Sequence, residues 1–204
     1  LYLVTAGTEP RIAGTNPPSL ILNADWLNRF KTEEQRFILG KWLEHLRLRH
    51  WTVFNNPLQQ VFRAAMLFAW LIVPEIKIPG LGPDDMEREA KPIKRAVPRK
   101  VRAQLEAKAK VLAQEGLPKD PEAWKKGVGL TGNHAGLLLA NDLPASLSAL
   151  MRMDSRLKQV ILSELQDRIP ILEQSEEAMD LVRFFASEAY FTLRKRAGFS
   201  LLSA

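Results

Sequence analysis

Apolar residues recur along this chain mostly at helical spacing. In residues 32–50, TEEQRFILGKWLEHLRLRH, they fall at Phe37, Ile38, Leu39, Trp42, Leu43, Leu46 and Leu48. That puts apolar side chains on more than one face and predicts a helix buried on most sides. Thr32 with Gln35 three residues on predicts a capping-box start. Residues 57–73, PLQQVFRAAMLFAWLIV, are apolar nearly all round and predict a core helix packed on the first, with Pro57 in its opening turn. Its longest apolar run, 64–74, is too short to span a bilayer. Two stretches read instead as short strands, 1–4 (LYLV) and 19–22 (SLIL), joined by a loop with Gly7, Pro10 and Gly14. A short helix follows from 23, with Asn23 or Asp25 as its cap.

Beyond residue 73 the pattern breaks. Pro74, Pro79, Gly80, Gly82 and Pro83 predict an irregular, loosely packed segment over 74–98. Pro98 then opens a helix that Gly116 stops. Residues 121–140 form another, although Gly127, Gly129, Gly132 and Gly136 lie inside it and each costs roughly 1 kcal/mol relative to alanine. Close approach of a neighbouring helix or strand explains such glycines. Helices are predicted at 145–153, from a cap at Asp154 or Ser155 through Asp167, and, beyond Pro170, from Ser175 to 196. The last carries an apolar stripe of Leu181, Val182, Phe184, Phe185, Ala189, Tyr190 and Leu193, and Gly198 ends it. No repeat recurs near 34 residues, so these helices predict a packed subdomain rather than an array.

Composition changes the picture little and charge changes it more. The 204 residues suffice for one domain or two small ones, with 46% apolar and 25% charged residues. There is no cysteine, which excludes disulfides and thiolate metal sites and fits a cytoplasmic setting. A start at Leu1 rather than methionine predicts a piece of a longer polypeptide. The net charge of +6 is concentrated. After Asp84, Asp85, Glu87 and Glu89 come Lys91, Lys94, Arg95, Arg99, Lys100, Arg102, Lys108 and Lys110, against Glu106 alone. A solvated helix face explains that run without a partner. Contact with nucleic acid or an anionic surface is the alternative, though no aromatic residue is interleaved to stack on bases.

The 32–50 helix resembles the active-site helix of the HtpX-type zinc metallopeptidases, E-E-L-R-x-V-L-A-H-E-L-G-H-I-x-x-R-H. Glu33, Glu34, Arg36, Leu39, Leu43, His45, Arg49 and His50 fall on family positions without a gap. The order strand, loop over 8–18, strand, short helix, long helix also matches, and in the family the edge strand helps hold extended substrate. On the second helix the family reads E-x-x-x-D-R-x-G. With the closing glycine at Gly136, its aspartate falls on Asn133, its arginine on His134 and its ligand glutamate on Gly129. Asn141-Asp142-Leu143-Pro144 matches the turn that follows.

The resemblance implies an α+β fold, predominantly helical. It would have a zincin-like core over 1–150 with a small N-terminal sheet, a basic irregular insertion near 74–98, and a C-terminal helical subdomain, 151–204, packed on the core. It also implies lost chemistry. The first zinc histidine falls on Lys41 and the catalytic glutamate on Trp42, so only His45 remains. A site of this class needs two histidines one turn apart, a third ligand, and a base for the bound water. Lysine repels zinc and tryptophan fills the cleft. The expectation is a vestigial site at Lys41, Trp42, His45, Gly129 and Asn133, with His45 and Asn133 meeting across two helices. The chain is then a non-catalytic pseudo-peptidase domain of bacterial type, without cofactor, acting as a protein-interaction or assembly module. Two alternatives stand beside it. One is a basic module using Lys91, Lys94, Arg95, Arg99, Lys100 and Arg102. The other is a residual metal-dependent hydrolase using His45, His50 and His134 with Asp25 or Glu44, although His45 and His50 are five residues apart rather than one turn.

Overall fold

Strand β3, Ser19–Asn23, is the centre of a three-stranded sheet. Strand β1, Tyr2–Val4, pairs with it in parallel, and β2, Arg11–Ala13, pairs antiparallel on its other side. These coordinates are a computed structural model that describes residues 1–5, 10–116, 120–153 and 165–199. Alternation along β3 turns Leu20 and Leu22 inward beside Ile12 of β2, where they bury against a helix. Strand β2 lies inside the stretch expected to be loop. With Ile12 as its one large apolar residue, it carries too little alternation to announce itself.

Helix α1, Ala24–Leu27, is capped by Asn23, whose side chain accepts the Trp26 N–H at 2.9 Å. Helix α2, Thr32–Arg47, is capped one residue earlier than expected. Lys31 occupies the cap position and its backbone N–H donates to Glu34 Oε2 at 2.7 Å, while Gln35 donates to the Leu27 and Phe30 carbonyls. Thr32 is therefore the first helical residue, and Glu34 supplies the reciprocal bond expected from Gln35.

The chain then forms α3, Trp51–Asn55, α4, Leu58–Trp70, α5, Pro83–Ala96, and α6, Arg99–Glu115. Helix α5 corrects the expectation of an irregular segment through 98. The turn-forming residues end at Gly82. Pro83 takes the first helical position, where its missing N–H costs nothing, and Asp84 and Asp85 complement the dipole. Met86 and Ala90, one turn apart, bury with Leu67 and Ala69 of α4 and with Ala109 of α6. Pro92 is accommodated inside the helix.

Four of the remaining helices meet around one core: α7, Pro121–Ala140, α8, Leu143–Met153, α10, Glu176–Phe185, and α11, Glu188–Arg196. Leu137, Ala149, Leu181 and Tyr190 bury there with Phe37 and Ile38 of α2. Helix α9, Leu165–Gln174, carries Pro170 within it rather than ending before it. The helix expected to run unbroken from 175 to 196 is two, because Ser187 caps α11. Its hydroxyl donates to the Phe184 carbonyl at 2.7 Å and accepts the Tyr190 N–H at 3.3 Å. The expected cap at Asp154 or Ser155 lies outside the described residues.

The chain divides into two compact units, 1–51 with 126–204, and 52–125. A boundary at 150 is not where the contacts separate, since α10 and α11 share their core with α2 and α8. The architecture is mostly helical with one small sheet. Among the described residues no helix is long and apolar enough to cross a membrane.

Candidate functional site

Glycine lets α2 and α7 meet at backbone distance. A Cβ on Gly136 would stand 2.6 Å from the Phe37 carbonyl oxygen, and one on Gly40 would stand 2.8 Å from that of Ala135. One turn before Gly136, the His45 ring lies over Gly132, its Cε1 2.5 Å from where a Cβ would be, with the Lys41 stem alongside at 3.2 Å. Gly127 and Gly129 have nothing within 4 Å of a built Cβ. Close packing thus accounts for two of the four glycines of α7, and the other two face open space.

The five expected site residues are brought together only in part. Lys41 and His45 share the Gly132 face. Trp42, half-buried, stands edge-on to His45 with ring centroids 5.9 Å apart and packs on both the sheet and the helical core. Asn133 is fully buried, but it turns to α10, where its Nδ2 donates to Glu177 at 3.2 Å. Its Oδ1 has no hydrogen-bond partner among the described residues. Across the helices the His45 ring meets Gly132, the residue before Asn133.

The three histidines separate into two places. His45 and His50 approach to 3.4 Å between their Nδ1 atoms, closer than their spacing predicts. The cause is the end of α2. Arg49 takes a left-handed conformation, φ 59°, while the His50 N–H donates to the His45 carbonyl and the Arg49 N–H to that of Leu46. This Schellman ending folds residue 50 back over residue 45. One Nδ1 must donate and the other accept, so the pair fixes complementary tautomers. Burial pushes the His45 imidazole down to about 4, and Lys41 and His50 push the same way against Glu44. His134 lies two residues beyond Gly132 on another face of α7. It bonds to Asp180 at 2.6 Å and stacks on Phe184 with centroids 3.9 Å apart. Glu44 is engaged by Arg47 at 2.7 and 2.8 Å, which holds its carboxyl below the usual range. The ligand set imagined for a residual hydrolase is thus not assembled. Among the described residues no three of His, Asp and Glu gather as a metal ion would require.

Sequence reasoning missed a buried carboxylate. Glu34, 3% exposed, accepts from Ser148 at 2.5 Å and Arg152 at 2.9 Å, both on α8, besides its bond to Lys31 N–H. Burial raises its pKa, yet Ser148, the Lys31 N–H and Arg152 together hold it below the ordinary value. Arg152 also lies over the Phe30 ring and donates to the Arg29 carbonyl. Glu34 was legible as an acidic residue in a first helical turn. Its partners, more than a hundred residues away, leave no local signal. The same holds for Asp180 and Glu177. Comparison of the chain with protein-family models, with curated proteins and with solved structures gives no match.

Proposed function

We propose that the unit of residues 1–51 and 126–204 is a non-catalytic scaffold of the HtpX-like pseudo-peptidase kind, and that it binds a protein partner. One observation supports this reading above the others. The α2–α7 contact juxtaposes the two helices that would carry a gluzincin's ligands, and Lys41, Trp42 and a packed His45 occupy the face where zinc and its base would stand. A lysine and an indole in those positions supply neither a metal ligand nor a base for water.

The partner would bind as an extended segment along β1. That strand pairs only with β3 among the described residues, so its outer edge keeps unpaired backbone groups, and Leu1, Tyr2 and Leu3 are 74%, 61% and 65% exposed. The test has two arms. Purified protein should show no zinc-dependent hydrolysis of unfolded protein substrates. Binding of a peptide selected from a random library should be lost on Leu3→Pro, since proline blunts an open strand edge. Zinc-dependent hydrolysis abolished by His45→Ala would overturn the reading.

A further inference from the structure

The charges of α5 and α6 are sorted along the chain, and their ion pairs fall on either side of the basic run. Asp85 pairs with Arg88, and Glu89 with Arg63. The next carboxylate after Glu89 is Glu106, which pairs with Lys110. Between them stand Lys91, Lys94, Arg95, Arg99, Lys100 and Arg102, and none has an ion pair among the described residues. Five are exposed. Arg102 is partly covered, with its Nε shielded from solvent and without an acceptor among the described residues.

Folding alone gives no reason for this arrangement. Lys94 and Arg95 suit the last turn of α5, but Arg99 and Lys100 stand in the first turn of α6, where the dipole disfavours cations and no acidic residue offsets them. Six like charges within twelve residues also repel one another. Beside them opens a groove of about 220 Å³ lined by Leu71, Ile72, Arg99, Arg102, Ala103 and Glu106. One wall is aliphatic and another carries two guanidiniums.

We propose that residues 91–102 dock this unit on an anionic phospholipid surface. Arg99 and Arg102 take lipid phosphates, and Leu71 and Ile72 meet the apolar part of the same molecules. Guanidinium forks match phosphate oxygens in pairs, and a cluster of this size binds acidic leaflets through summed attraction. Phospholipid fits better than nucleic acid for two reasons. No aromatic side chain stands in 91–110 to stack on bases. The large apolar residue exposed among the cations is Val101, and like the aliphatic groove wall it suits a bilayer interface and offers nothing to a phosphodiester chain.

Sedimentation with vesicles tests this independently of the pseudo-peptidase reading. The protein should bind phosphatidylcholine vesicles only when they contain phosphatidylglycerol, and less at higher salt. K94Q/R95Q/R99Q/K100Q should lower partitioning on the order of 100-fold, while R36Q/R183Q/K195Q/R196Q, which removes equal charge from exposed positions of the other unit, should lower it less than about threefold. Val101→Ser, neutral in charge and at the surface, should weaken binding measurably. Equal losses in the two quadruple variants would mean net charge alone is read and would overturn the proposal. So would failure to bind acidic vesicles, or tighter binding to duplex DNA at the same salt.

Discussion

His45 concentrates more physical consequence than any other residue of the site. It is 1% exposed, lies on Gly132, and shares a proton position with His50, so the fold is built for its neutral form. The charged groups that act on it are Lys41, His50 and Glu44. Its folded pKa of about 4 lies below the ordinary 6.5, so the unfolded chain takes the proton first as pH falls. Stability from the neutral imidazole is therefore complete above about 6.5 and is lost progressively toward 4, a total of about 3 kcal/mol. His50, also lowered by burial, adds a smaller loss of the same sign. Denaturant melts should show the protein about 2 kcal/mol less stable at pH 5 than at pH 7.5. The readout is the slope rather than the level, and His45→Gln should flatten most of it. Glu34 works in a separate window. Its lowered pKa keeps its contribution intact until pH drops below its ordinary 4.5, so it does not blur the histidine signal. Glu34→Ala would strand Arg152 and Ser148 at neutral pH and should cost about 3 kcal/mol there.

At the scale of elements, α7 carries a contrast within one helix. The sequence shows four glycines and a single cost, but the structure separates them by what a methyl group would meet. Gly127→Ala and Gly129→Ala enter open space inside a helix, and each should raise stability by up to about 1 kcal/mol. Gly136→Ala drives a Cβ onto the Phe37 carbonyl, which cannot move without shifting α2, and should cost about 2–3 kcal/mol. Gly132→Ala meets the His45 ring and should fall between, with the pH slope reduced because the ring is displaced. Thermal melts of the four single variants check the order, and a destabilising Gly129→Ala would mean that face is closed. The element scale also shows what the sequence could carry. Helices with long apolar periods, such as α2, α4 and α7, were legible to within a few residues. Strand β2 was not, because three residues with one buried isoleucine have no period. Helix α5 was not, because Pro83 read as the last of a run of breakers when it is a helix start. The break at Ser187 was hidden because Phe184, Phe185, Ala189 and Tyr190 keep helical spacing across it.

For the whole molecule, the glycines of α7 signalled only that some helix or strand approaches closely, and it was the family resemblance that named α2; the pairs that fix the polar groups of that contact left no signal. Glu34–Arg152, Asn133–Glu177 and His134–Asp180 join residues far apart in sequence, and long-range partners leave no periodic trace. The lost-site reading depends on that juxtaposition, so rebuilding the site tests it. Positions 41 and 45 lie one turn apart on α2, the spacing that lets two histidines share a metal. Position 129 on α7 has room for a longer side chain, since nothing lies within 4 Å of a Cβ there. Lys41→His with Gly129→Glu should therefore bind zinc without hydrolysing peptides, because on that reading Trp42 stands in the place of the base. Adding Trp42→Glu should bring zinc-dependent hydrolysis at a cost of about 3 kcal/mol or more, since the indole packs on both the sheet and the helical core. The triple variant should consequently melt higher with zinc and lower with a chelator. The parent chain should purify without stoichiometric zinc and melt at the same temperature with or without chelator. One zinc per parent chain, lost together with several degrees of melting temperature on chelation, would sink the assignment of Lys41, Trp42 and Gly129 to the lost groups. A double variant that folds yet binds no zinc would show that α2 and α7 are not in the register a gluzincin requires.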